Sequence, residues 1–189
     1  MFEFKAQFIE GDRVVRLPES WSELTFDQYV NLVNNDDKEW LTRLIVLTGI
    51  EDIGKLPVHA IELFTSIISF LADVKPLNDA NVVPEKYQDF KYSSSVEFTW
   101  HQEVLIEFKK WSDHYEVDKA ETPEQKDILM RKVQMSSAAK LVEVCTRFRT
   151  TDERVIPGMK INNDPVLEVI GMVNFFLHSS IIYSNGTAN

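Results

Sequence analysis

The side chains that could do chemistry in this chain are four histidines, one cysteine and thirty acidic residues. Metal binding needs several ligands brought to one face, and acid–base catalysis needs a titratable group held beside a partner. His59, His101, His114 and His178 include no two spaced to share a helix face. Glu97 and His101 are four residues apart but straddle an expected helix start, so two polar side chains facing water are the better reading. Asp113 and His114 are adjacent, and adjacent side chains on a helix diverge by about 100°, which argues against a dyad. With Cys145 alone, neither a thiolate zinc site nor an intrachain disulfide can form. Flanked by Leu141, Val142 and Val144, Cys145 reads as a small buried hydrophobe. The six glycines are scattered, so there is no phosphate loop and no nucleophile elbow. The acidic pairs Asp36–Asp37 and Glu51–Asp52 fall at expected helix ends, where capping and the helix dipole account for them. The reading is a non-enzymatic protein with no catalytic residue, metal ligand or cofactor.

Binding residues are the remaining candidates. Trp21 lies between Pro18 and a helix cap. An indole there either staples the N-terminal segment to the first helices or, if exposed, meets a partner. Charge supplies the second candidate. The chain carries a net −10, with −12 over residues 1–125 and −2 over 161–189. Residues 126–160 hold eight basic and four acidic residues, a net of +4. On one expected helix, Lys132, Lys140 and Arg147 fall near one angular position. This basic stripe is either a solvated face or a docking face for an acidic partner, another copy of the chain included. The acidic balance disfavours general affinity for nucleic acid or anionic lipid.

The elements that must position these residues follow from local pattern. Phe4–Phe8 alternates apolar and polar, Glu10-Gly11-Asp12 is a turn signal, and Val14–Leu17 is the return strand of a small hairpin. Thr25 with Gln28 forms a capping box for a helix to about Asn34. Asp36 and Asp37 are expected to cap a second helix, which Gly49 ends. Pro57 opens a third, reaching about Asp73. Lys75–Ser95 is rich in turn residues and marks a break. Part of Tyr87–Phe98 alternates and is a candidate second β element. Thr99 with Gln102 suggests another capping box, for a helix carrying Val104, Leu105, Phe108 and Trp111. Pro123 opens a long helix expected to reach Arg149, its apolar stripe running from Met130 to Phe148. Thr150–Pro165 reads as a polar loop, and Val166–Tyr183 as a buried last helix too short and too interrupted to span a bilayer. The fold class is mainly α: about six helices with a small N-terminal β-hairpin and a second short β element in the middle. The expected organisation is residues 1–75, a connecting segment at 76–99, and a helical lobe at 100–189, with a single compact domain as the alternative.

The segment Leu17-Pro18-x-Ser20-Trp21-x-Glu23-Leu24-Thr25-x-x-Gln28-Tyr29-x-x-Leu32 resembles small tailed-phage morphogenesis proteins, especially those of phages with Bacteroidetes-type hosts. Leu47-Thr48-Gly49-Ile50 with Leu56-Pro57 resembles the next part of that pattern. The likeness covers about residues 14 to 60, a quarter of the chain. It implies a bacteriophage tail assembly chaperone or minor virion structural protein, without cofactor or catalytic residues. Its partners would be other phage proteins or copies of itself, homo-oligomers included. Its place would be the host cytoplasm or the virion. A single cysteine and the lack of an export-type start suit a reducing compartment. Two other classes remain as alternatives: an acidic DNA-mimicking inhibitor, and a small enzyme with an unrecognised site.

Overall fold

The computed structural model describes residues 1–8, 10–35, 39–80 and 98–174. The chain is mainly helical with an N-terminal antiparallel hairpin. Its contacts define two compact units, Met1–Ala80 with Asp164–Glu168, and Asn81–Asn163 with Val169–Asn189.

In the first unit, β1 (Phe2–Phe8) pairs with β2 (Gly11–Leu17), with Phe4 opposite Val15 and Phe2 opposite Leu17. Strand alternation turns Ala6, Phe8, Val15 and Leu17 into the core and leaves Glu3, Lys5 and Gln7 exposed. Helix α1 (Phe26–Val33) begins with the capping box the sequence announces: Gln28 N donates to Thr25 Oγ1 (3.2 Å), and Thr25 N donates to Gln28 Oε1 (3.1 Å). A distant segment finishes this helix start. Phe26 N donates to Asp164 O (2.9 Å) and Val166 N donates to Leu24 O (2.7 Å). Helix α2 (Trp40–Thr48) has Glu39 at its cap, without a side-chain bond, and ends on Gly49 at φ +68°. Asp36 and Asp37 lie outside the described residues. Helix α3 (Val58–Ile67) follows Pro57 and tightens into a 3-10 turn over Ile68–Ala72. A five-residue helix, α4 (Lys75–Asp79), stands where a break is expected. Phe26, Leu44, Ile53, Phe64 and Ile68 are sealed from water. Burying each such side chain contributes about 1.5–3 kcal/mol.

The second unit is built on α5 (Phe98–His114) and α6 (Pro123–Thr146), which pack against each other. Thr99 lies within α5, which already includes Phe98, so the expected cap at Thr99 is not one. The corresponding pair is Thr122 with Gln125: Gln125 N donates to Thr122 Oγ1 (3.1 Å), and the Gln125 side chain accepts from Glu121 N (2.9 Å). Helix α6 stops at Thr146, three residues before the expected Arg149. Thr146 Oγ1 donates to Val142 O (2.7 Å) and accepts from Met159 N (2.8 Å), so the returning chain docks on the last turn. Gly158 makes that approach feasible, because a Cβ there would sit 1.6 Å from Glu143 O. The last residues of the expected helix form β3 (Phe148–Arg149), which pairs with β4 (Val155–Ile156) from the expected polar loop in a small hairpin. Helix α7 covers residues 166–174, counted with the first unit through Glu168 and with the second from Val169, and Val166, Val169, Ile170, Met172 and Val173 are buried. Its expected continuation to Tyr183, the candidate β element before Phe98, and residues 81–97 of the expected connecting segment lie outside the described residues.

Candidate functional site

Trp21 occupies a 3-10 turn, Trp21–Glu23, between the hairpin and α1. It is 7% exposed. Its Nε1 donates to Asp73 O (2.7 Å), and its ring meets Tyr29 and Phe70 edge-on at 6.1 and 5.5 Å. The indole therefore ties the start of α1 to the end of the 3-10 turn after α3, and its one polar group is used internally. The same burial raises the Tyr29 phenol above its ordinary pKa.

The basic stripe resolves into a compact charge cluster. Arg147 lies just past the end of α6, so the helical angle that aligns it with Lys132 and Lys140 no longer applies. Its guanidinium donates in bidentate fashion to Glu103 on α5, at 2.6 and 3.1 Å, and to Glu143 on α6 at 2.7 Å. It also lies over the Trp100 ring, 5.3 Å from the centroid. Lys140 donates to Glu143 (2.9 Å) and stands 3.8 Å from Glu103. The Arg147 hydrogen bond holds Glu103 below the usual carboxylate range. Burial pushes Glu143 up, but bonds from Lys140 and Arg147 outweigh it, and its pKa is lowered. Arg147 is correspondingly raised, chiefly by Glu103. Lys132 is half-buried on α6. The structure thus brings Lys140 and Arg147 together with two carboxylates of their own unit and turns them away from a purely solvated role. The Glu143 pairings are i,i+4 and i,i+3 and could be read locally. Glu103 is forty-four residues from Arg147 and could not.

The residues weighed for chemistry are dispersed. His114 packs edge-on against Trp111 and Tyr115 at 5.4 and 5.0 Å, while Asp113 accepts from Lys109 (3.1 Å). Trp111 Nε1 donates to Glu107 (2.7 Å), and Tyr115 Oη bonds Ser136 Oγ (3.1 Å). His59 and His101 are exposed. Glu97 and His178 lie outside the described residues. Burial pushes the Cys145 thiol up to about 11, so the reactive thiolate is scarce at neutral pH. Among the described residues, no three His, Cys, Asp or Glu side chains could together hold a metal ion, and no helix is long and apolar enough to cross a membrane.

One open groove of about 370 Å³ lies in the first unit, lined by Gly54, Leu56, Val58, Ile61, Glu62 and Thr65. Val58 at its rim is 73% exposed. The Thr65 hydroxyl donates to Ile61 O (2.9 Å), leaving Glu62 as the one titratable group among the described lining residues. Such a lining can take up an apolar side chain but places no acid–base pair. Comparisons with protein-family models, with curated proteins and with solved structures find no match to this chain.

Proposed function

We propose that this protein is a non-enzymatic bacteriophage assembly or virion structural protein that acts by binding other proteins, with tail assembly chaperone as its more specific role. The observation that carries the reading is the Leu17–Leu32 segment and its continuation to Pro57. Support comes from the way those residues work as one local unit. Leu17 ends the hairpin, Trp21 ties two segments together, Thr25 and Gln28 cap α1, and Gly49 ends α2. The partners in this reading are long helical phage proteins, such as a tape-measure protein, or other virion components.

The test is recovery from infected cells. The full-length tagged chain should co-purify with a long helical phage protein, or mass spectrometry should find it in purified particles. Recovery only as a free chain, in neither fraction, overturns the proposal. Salt-sensitive capture of a DNA-handling enzyme instead would favour the acidic-inhibitor class, whose motive is the −12 over residues 1–125.

A further inference from the structure

Among the described residues the hairpin sheet consists of β1 and β2, so β1 has one side without a ladder partner among them. The register decides which groups line that side. Phe8 and Gly11 oppose each other across two intervening residues, a separation at which the closing pair exchanges backbone hydrogen bonds. Bonded and non-bonded pairs then alternate along the ladder. Phe2, Phe4, Ala6 and Phe8 therefore turn their amides and carbonyls to β2. Those of Glu3, Lys5 and Gln7 point to the open side, and all three residues are exposed. A row of unpaired donors and acceptors is a template for another strand.

The side chains on this edge select the strand it accepts. Glu3, which already accepts from Arg16 Nε on β2 (2.8 Å), and Lys5 carry opposite charges on the same outer face, two residues apart. Antiparallel pairing with β1 of a second copy, about a two-fold axis at Phe4, sets Glu3 of each copy opposite Lys5 of the other. These are the pairs that would exchange backbone bonds, about four in all. The same axis sets the two Phe4 rings opposite each other in a non-bonded pair, where side chains lie closest. Phe2 then faces Ala6. Phe2 and Phe4 are half-buried while Phe8 is buried, so the aromatic surface left open lies on the stretch a second copy would cover. Phe64 supports it from below, with its ring 6.4 Å from Phe2 and 5.5 Å from Phe4. Sliding the register by two residues would set Lys5 against Lys5, and sliding by one would mismatch the two faces.

We infer that β1 is a self-association edge: two copies join through it into one four-stranded antiparallel sheet with isologous two-fold symmetry. This does not depend on the phage reading and stands or falls separately from it. Sedimentation of the full-length chain over a concentration series should show a reversible monomer–dimer equilibrium. Lys5→Pro removes an amide on the open side and spares the ladder to β2, so the hairpin tolerates it. Association should weaken about tenfold or more. A charge test covers the case in which that variant fails to fold. Lys5→Glu and Glu3→Lys should each weaken self-association, because like charges then oppose each other. An equimolar mixture of the two should associate, because every pair becomes complementary. A monomeric wild-type chain at every concentration, a dimer indifferent to Lys5→Pro, or a mixture that stays apart overturns the inference.

Discussion

At Gly158 and Arg147 the structure depends on single residues. A methyl group at Gly158 meets the carbonyl of Glu143 at 1.6 Å, and a backbone atom in the last turn of α6 cannot swing aside. Gly158→Ala should cost on the order of 3 kcal/mol, read as a lowered urea midpoint at an unchanged slope. Arg147 joins Glu103, Glu143 and Trp100, so Arg147→Met leaves two neighbouring carboxylates without their strongest donor. A loss of about 1–3 kcal/mol at neutral pH is expected. The pH dependence has a definite sign. Both carboxylates have folded pKa values below their unfolded values. Their contribution is therefore complete above the ordinary carboxylate pKa and is lost as pH falls through the lower folded values. Urea melts at a series of pH values below about 5 should show wild-type stability falling steeply and Arg147→Met falling less. Equal slopes for the two proteins would contradict the assignment. Glu103 is partly exposed, so added salt should reduce the difference.

The helix caps carry the argument at the scale of elements. Three Thr-x-x-Gln quartets occur, at Thr25, Thr99 and Thr122, and the structure uses the first and third as caps. Thr25→Ala and Thr122→Ala should each cost about 1 kcal/mol. Thr99→Ala, at an exposed position inside α5, should be neutral or slightly stabilising, since alanine is the better helix former. Thermal denaturation of the three variants side by side checks the assignment. A loss at Thr99 matching the other two would mean that α5 starts there. The motif alone cannot separate these cases. A cap needs the chain before it to be extended, and at Thr99 the preceding residue is already helical.

The hairpin meets the helices of the first unit through aromatic packing, and this sets what matters for the molecule as a whole. Phe64 has no exposed surface, and it receives the edges of Phe2 and Phe4 from β1. Phe64→Ala should cost about 3–5 kcal/mol. That is a large share of the 5–15 kcal/mol that typically separates folded from unfolded chains. Urea unfolding followed by tryptophan fluorescence would measure it, and a cost below about 1 kcal/mol would show that the hairpin is not held through this ring. The net charge of −10 opposes association in general. An edge that pairs with its own copy must therefore rely on local complementarity, as Glu3 and Lys5 offer.

The mainly helical class, the hairpin, the Thr25 cap and the Gly49 stop were legible in the residues, because each is settled by groups within a few positions of one another. Alternation of period two, a hydroxyl three residues from an amide, and a left-handed glycine act before any distant contact forms. The tertiary structure alone decided the rest. It ended α6 at Thr146 through Met159, paired β3 with β4 from the 150–165 loop, and brought Asp164 and Val166 to the start of α1. It also converted most of a basic stripe into an internal charge cluster by bringing in Glu103 from another helix. Those outcomes depend on which segments meet after the chain closes on itself. Local propensity is blind to that, because a side chain's partner is chosen by packing rather than by spacing.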